Sequence, residues 1–328
     1  MEITASSTDA SDAQVEQKLL QLVRGWGLSR FSEGIALQWL RLALGTSDRP
    51  REDLRRLTQW LLMQLNGQRH AAGCSTWQLG CPEVIPSLRA IAVWDCHVFP
   101  WVRELEANFN VIKSELLALR GRADFQPYRA PAWASERRAK DGLGSVAHDA
   151  GEWNVFYLYL HNVDFAANRS LCPTTAQIIQ SIGGHYDHAF FSALSPKTHV
   201  AKHHGPTNKK LRCHLPLVVP PGDNCRLRVG SETVLVQEGQ CFVFDDSFEH
   251  EAWNDDASRS RIVLIVDVWH PDLTAAELKF LSFLRNSRLR MDKSREAVAP
   301  GDNFYDIIST ANNLSRASSD SRQQAVWS

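Results

Sequence analysis

Twelve histidines are spread unevenly along the 328 residues: eight of them, His185, His188, His199, His203, His204, His214, His250 and His270, fall within about a quarter of the chain. Imidazole serves both proton transfer and metal binding, so chemistry is expected in this quarter. Two arginines accompany it. In the run Leu211-Arg212-Cys213-His214-Leu215-Pro216-Leu217, an extended backbone sends successive side chains to opposite faces. Leu211, Cys213, Leu215 and Leu217 then share an apolar face, expected to pack outward against helices or a second layer. Arg212, His214 and Pro216 share the other, which looks into a barrel. Burying a guanidinium is expensive unless it meets an anion, so this strand reads as half wall and half anion site. Arg261 opens the nearly all-apolar run 262–269, the pattern of a strand internal to a sheet, and is a second charge bordering a core. His250 follows the acidic turn Asp245-Asp246-Ser247, whose carboxylates are expected to hydrogen-bond the turn backbone. Packing roles are expected for His185, His188, His199 and His270, and His204 should face away from its neighbour His203.

The elements that must hold these groups are strands. Runs at 153–160, 188–194, 211–219, 225–229, 233–236, 241–244, 248–253 and 262–269 are separated by Pro220-Pro221-Gly222-Asp223-Asn224, Gly230, Glu238-Gly239 and Asn254-Asp255-Asp256. Short strands with turn signals at intervals of about 8–12 residues predict a barrel or sandwich. Before them, apolar residues at helical spacing predict helices over 15–26, 31–44 (ending at Gly45) and 54–65 (with Gly67 past its end). A single long helix is predicted over 101–120. The expected layout is a disordered tail at 1–12, a helical subdomain at 13–80, a β domain at 81–280 supported by helix 101–120, and a partly helical or disordered extension at 281–328. The irregular, basic stretch 122–150 is expected to be a loop.

Lys and Arg number 36 against 37 Asp and Glu, a net charge of −1. That balance argues against a general nucleic-acid binder. No apolar run is long enough to span a membrane, and the polar N-terminus lacks a signal-peptide plan. The seven cysteines are odd in number and include no CxxC, which suggests neither a zinc knuckle nor a full disulfide framework. A cytoplasmic location is expected.

A His, a distal His and a trailing Arg in this order resemble the metal and cosubstrate set of iron(II)/2-oxoglutarate oxygenases. More closely, the chain resembles the aspartyl/asparaginyl β-hydroxylase family. The residues that carry the resemblance are His203-His204-Gly205-Pro206-Thr207-Asn208, Leu211-Arg212-Cys213-His214-Leu215, Phe244-Asp245-Asp246-Ser247-Phe248-Glu249-His250-Glu251 and Val266-Asp267-Val268-Trp269-His270-Pro271. The likeness runs over roughly 81–280. It implies a mainly β fold with flanking helices, built on a double-stranded β-helix (jelly-roll, cupin-like) core, with the N-terminal helical region added. It implies iron(II) held by His203 and His250 alone, with Gly205 where most iron(II)/2-oxoglutarate oxygenases carry a carboxylate, leaving an open coordination position. It further implies that Arg261 pairs with the far carboxylate of 2-oxoglutarate, supported by Ser192, Arg212 and His214, and that dioxygen is the second cosubstrate. Lys210, and more weakly Trp153, are candidates to face substrate. With no membrane anchor and no repeat array in the sequence, the expectation is a hydroxylase acting on a small molecule or peptide, possibly biosynthetic in role. The alternatives are β-hydroxylation of Asp or Asn residues in a protein, halogenation or desaturation at the same two-His site, and a non-catalytic cupin-like binding module.

Overall fold

A computed structural model describes residues 6–45, 51–71, 74–122, 125–130, 136–137, 144–161, 163–296 and 326–327. Its helices are α1 (Ser6–Gly25), α2 (Arg30–Leu44), α3 (Arg55–Leu65), α4 (Pro100–Ala107), α5 (Phe109–Leu117), α6 (Ala166–Leu171), α7 (Pro173–Ser181) and α8 (Ala275–Glu296). Its strands are β1 (Val93–Trp94), β2 (Gln126–Pro127), β3 (His148–Ala150), β4 (Trp153–Leu160), β5 (His185–Leu194), β6 (Thr198–His203), β7 (Lys210–Val218), β8 (Cys225–Val229), β9 (Glu232–Leu235), β10 (Phe242–Phe244), β11 (His250–Asn254) and β12 (Arg261–Trp269).

The described residues form two compact units, one drawn from 6–75, 82–89 and 271–296, the other from 76–81, 90–270 and 326–327. The expected division into consecutive segments at 80 and 280 therefore does not hold. The first unit contains α1, α2, α3 and α8. Ser29 caps α2 by accepting from the Ser32 N–H at 3.2 Å, and Gly45 ends it at φ 68°, a left-handed value that favours glycine. Chain segments far apart in sequence close this unit. The carboxylate of Glu277, fully buried on α8, accepts from the Arg56 N–H at 3.1 Å and pairs with its guanidinium at 3.2 Å. The Thr274 hydroxyl donates to the Asp53 carbonyl at 2.6 Å. Of the stretch expected as a tail over 1–12, α1 takes the residues from Ser6 on, and 1–5 lie outside the described residues. Ser, Thr and Asp in that stretch are residues that favour helix starts.

The second unit is a pair of antiparallel sheets, ordered β1-β10-β7-β12-β5-β4-β2 and β3-β6-β11-β8-β9. Within them β5, β12, β7 and β10 face β6, β11, β8 and β9, and the chain alternates between the two sheets in the manner of a jelly roll. The fold is mainly β with flanking helices around a double-stranded β-helix, as the resemblance implies. The outward side of β7 carries Leu211, Cys213, Leu215 and Leu217. They are buried with Val102, Leu105, Ile112, Leu116, Ile178 and Ile179 of the helices α4, α5 and α7. β12 lies inside its sheet between β7 and β5, as its apolar sequence requires.

Three details depart from the sequence reading. The helix expected over 101–120 is broken at Asn108, whose side-chain amide donates to the Glu104 carbonyl at 2.8 Å and so competes with the helix backbone. Helices α6 and α7, six and nine residues long, have too few turns to show a periodicity. The loop 122–150 falls partly outside the described residues; its described parts supply β2 and β3. All seven cysteines are free thiols. Among the described residues no helix is long and apolar enough to cross a membrane.

Candidate active site between the two sheets

Seven of the nine residues singled out in the sequence line one pocket between the sheets: Trp153, Ser192, His203, Arg212, His214, His250 and Arg261. Lys210 and Gly205 are not among its lining residues.

His203 ends β6 and His250 begins β11, and the two are direct cross-strand partners. Strict alternation from the inward Val200 would turn Lys202 inward and His203 outward. The pairing, however, runs from His250↔His203 to Ala252↔Val200, so β6 holds one extra residue there. This bulge shifts the phase of the strand and brings His203 to face His250, with ring centroids 4.1 Å apart. Each Nδ1 donates to the backbone carbonyl two residues earlier, His203 to Ala201 and His250 to Phe248, both at 2.8 Å. A carbonyl can only accept, so Nδ1 carries the proton in both rings and Nε2 presents its lone pair. Burial pushes both imidazoles below their ordinary range, and His250 is lowered further by His203. Two neutral imidazoles, each locked by a backbone carbonyl with Nε2 unprotonated, are a pair of donors that could hold a metal. Among the described residues no group of three or more His, Cys, Asp or Glu is arranged to hold a metal.

The other end of the pocket is polar and uncompensated. Arg261 is 2% exposed, and its Nε and Nη1 have no hydrogen-bond partner among the described residues. Burial without a carboxylate beside it pushes the guanidinium down to about 10. Both ring nitrogens of His214 are likewise buried and unpartnered among the described residues. Burial, then Arg261 and Arg212, hold this imidazole well below its ordinary range. Ser192 accepts from the Trp153 indole N–H at 3.0 Å, which leaves its own hydroxyl proton to donate. Tyr128 stacks on Trp153 at 3.7 Å and so fixes the indole. Trp153 thus holds Ser192 in place as well as lining the pocket. A buried cation, an imidazole and a hydroxyl, each with open donor capacity, fit a carboxylate guest.

Arg212 was expected to meet an anion from outside the chain, and here the structure corrects the reading. Its anion is Asp267, directly opposite it on β12, joined by Nε–Oδ1 at 2.8 Å and Nη2–Oδ2 at 2.9 Å. Lys210, expected to face substrate, is instead buried: its Nζ lies 2.6 Å from Asp246 and 3.0 Å from Asp267. His188 completes the network through Nδ1 to Asp267 at 2.8 Å. Burial alone would raise the Asp267 carboxyl, but Arg212, Lys210 and His188 hold it well below the usual carboxylate range. The acidic turn divides in two. Asp245 does bond the turn, accepting from the Ser247 N–H at 3.0 Å and hydroxyl at 2.6 Å, whereas Asp246 points to Lys210. Sequence reasoning missed Asp267 and Asp246 as parts of the site. The one available signal was a lone Asp within the apolar run of β12.

Removing one member of such a buried network leaves a charge unpaired, which costs about 3 kcal/mol or more. Asp267→Asn is therefore expected to lower urea-unfolding stability by about that amount at neutral pH. Because the carboxyl is depressed in the fold, its contribution is present above about pH 4, its unfolded range, and fades below it. The stability gap between wild type and variant should narrow as acid is added; a gap independent of pH between 7 and 3 would contradict the assignment.

Gly205 is confined. A Cβ there would lie 2.7 Å from each carboxylate oxygen of Asp246, and the Gly205 N–H donates to the Asp246 carbonyl at 2.6 Å. The space that a side-chain ligand would need is filled by a neighbouring carboxylate. Gly205→Asp should therefore displace Asp246 and place two like charges together. A loss of roughly 1–3 kcal/mol in urea unfolding is expected from overpacking alone; an unchanged midpoint would show that the space opens freely.

The remaining histidines take structural places. His199 bridges Asp149 and Glu251 and stacks on Trp253 at 4.9 Å. His185 packs edge-on against Tyr159 at 5.3 Å, and His270 against Trp94 at 5.2 Å.

Residues 106–271 match the family model described as Aspartyl/Asparaginyl beta-hydroxylase. The chain is 37% identical over 190 residues to human Aspartate beta-hydroxylase domain-containing protein 2, covering 56% of this chain and 48% of that protein. It is 35% identical over 227 residues to human Aspartyl/asparaginyl beta-hydroxylase, covering 66% of this chain and 27% of the relative. It is 34% identical over 180 residues to Ornithine lipid ester-linked acyl 2-hydroxylase of Rhizobium tropici, covering 55% and 60%. The match spans about half the length of the animal domain-containing relatives. With the match covering half of its length and the motif residues gathered in one pocket, the chain belongs to the aspartyl/asparaginyl β-hydroxylase family.

Proposed function

We propose that this chain is an iron(II)/2-oxoglutarate-dependent dioxygenase that hydroxylates an unactivated C–H bond of a small molecule or peptide. The observation that carries the proposal is the pairing, within one pocket, of two Nε2 lone pairs with a buried arginine whose Nε and Nη1 have no partner among the described residues. His203 and His250 would hold the iron. When bound, iron(II) with 2-oxoglutarate and dioxygen supplies the oxidising power that replaces C–H by C–OH, with succinate and carbon dioxide released.

The protein's own contribution is placement and exclusion of water. Arg261 receives the far carboxylate of 2-oxoglutarate, with the Ser192 hydroxyl donating beside it. His214, held neutral, gives one N–H to the cosubstrate from whichever ring nitrogen faces it. Arg212, engaged by Asp267, lines the pocket beside them. Trp153, Leu194, Val200, Leu227 and Ile265 wall the pocket with apolar surface, which strengthens each of these electrostatic contacts.

A second reading is β-hydroxylation of Asp or Asn residues in a protein, favoured by the 35% identity to the human Aspartyl/asparaginyl beta-hydroxylase. The 34% identity to the ornithine lipid hydroxylase adds an acyl chain to the substrates worth screening. The deciding experiment is succinate release from 2-oxoglutarate with iron(II) against panels of metabolites, Asp- and Asn-containing peptides and acyl lipids. Substrate-dependent succinate with a product 16 mass units heavier, the mass of one oxygen atom, is expected. No panel-dependent succinate from a protein shown to bind both iron(II) and 2-oxoglutarate would favour a binding module.

A further inference from the structure

The segment Thr76–Cys81 belongs to the second unit, although residues 75 and 82 on either side belong to the first. It lies outside the family match at 106–271. It nevertheless reaches both strand ends that carry the histidine pair. On the His250 side, the buried Gln78 side chain donates to Ser247 Oγ at 2.8 Å and to Asp245 Oδ2 at 3.3 Å, in the turn leading into β11. The Trp77 carbonyl accepts from the Glu249 N–H at 2.7 Å, one residue before His250. On the His203 side, the segment packs against the ring of the next residue, His204. Gly80 approaches that ring so closely that a Cβ would lie 2.6 Å from Nδ1 and 2.9 Å from Nε2. A methyl group at Gly80 therefore fits only if the His204 ring shifts. The same short segment thus grips the residue after one candidate ligand and the residue before the other.

We propose that Thr76–Cys81 is a bracket that sets the separation of His203 and His250, with Gln78 and Gly80 as its positioning residues. The inference rests on the proposed role of the two histidines as iron ligands. Neither Gln78 nor Gly80 touches the metal position; they act through the Asp245–Glu249 turn and through His204. Groups that orient ligands at one remove typically change metal affinity about ten- to a hundredfold.

The test uses the full-length metal-free protein and cobalt(II) as a spectroscopic probe for iron(II). Gln78→Met keeps length but removes the donor, and Gly80→Ala adds one methyl group against His204. Each is expected to bind cobalt(II) about tenfold more weakly than wild type and to alter the shape of the visible cobalt band. Leu116→Ala, on α5 in the helix-side core, serves as a destabilised control that should keep both affinity and band. Wild-type affinity and band in Gln78→Met and Gly80→Ala, with binding lost in His203→Ala, would overturn the bracket alone. Cobalt(II) binding that survives in both His203→Ala and His250→Ala would overturn the ligand assignment itself. Should a variant not fold, hydrogen exchange on the wild type decides. Because linkage is reciprocal, cobalt(II) must slow exchange at 76–81 and at the Glu249 amide, and unchanged exchange there overturns the bracket.

Discussion

Replacing Arg261 by leucine is expected to make the metal-free protein more stable while weakening 2-oxoglutarate binding roughly a thousandfold. The two effects have one cause. Arg261 is buried with Nε and Nη1 unpartnered among the described residues, so in the absence of a guest the fold carries a charge removed from water. Replacing such a charge by an apolar side chain of similar volume stabilises by about 1–4 kcal/mol. Burial holds the guanidinium at about 10, below its unfolded value. The penalty is thus full at neutral pH and is relieved only as the pH rises past about 10. With a dicarboxylate bound the sign reverses, because loss of one partner from a buried charge pair costs about 3–5 kcal/mol. Thermal melts without 2-oxoglutarate, together with calorimetric titration of 2-oxoglutarate in the presence of manganese(II), read the two halves separately. A variant that melts lower and binds 2-oxoglutarate unchanged would remove Arg261 from the proposed role.

His203→Ala and His250→Ala should each abolish metal-dependent turnover, and each alone should be as damaging as both together. A three-ligand site that loses one protein donor keeps two. Here the loss of either imidazole leaves a single Nε2, which is not a chelate. The expected fall in cobalt(II) affinity therefore exceeds the roughly hundredfold attributed to outer-shell partners. Titration of the two single variants and the double variant checks this. A stepwise additive loss would indicate that another protein group completes the coordination.

The chemistry-bearing faces were more legible in sequence than the partners that occupy them. Along β7 the period-two pattern is clean, and Arg212 and His214 do share the inward face opposite Leu211, Cys213, Leu215 and Leu217. What occupies Arg212 was not legible, because the Asp267↔Arg212 pairing is set by the register of two strands distant in sequence. The facing of His203 was not legible from alternation either, since the bulge in β6 inverts it; only the motif resemblance pointed there. Asp245 obeyed the local rule for acidic turns, whereas Asp246 beside it answers to Lys210, a long-range partner. The bracket at 76–81 leaves no periodic signal, because it works through one side chain, one carbonyl and the absence of a Cβ.

The arrangement of the first unit has a consequence for how the chain is made. Its helices α1, α2 and α3 are synthesised before the two sheets, but the partners that complete it, Thr274 and Glu277, come after them. Every residue of the two sheets must leave the ribosome in between. These helices must therefore wait, with apolar surfaces such as the Trp39 ring that meets Phe280 incompletely packed, while the β domain folds through its own long-range pairings, which are intrinsically slow. A chain stopped just before α8 would leave Arg56 without its buried carboxylate.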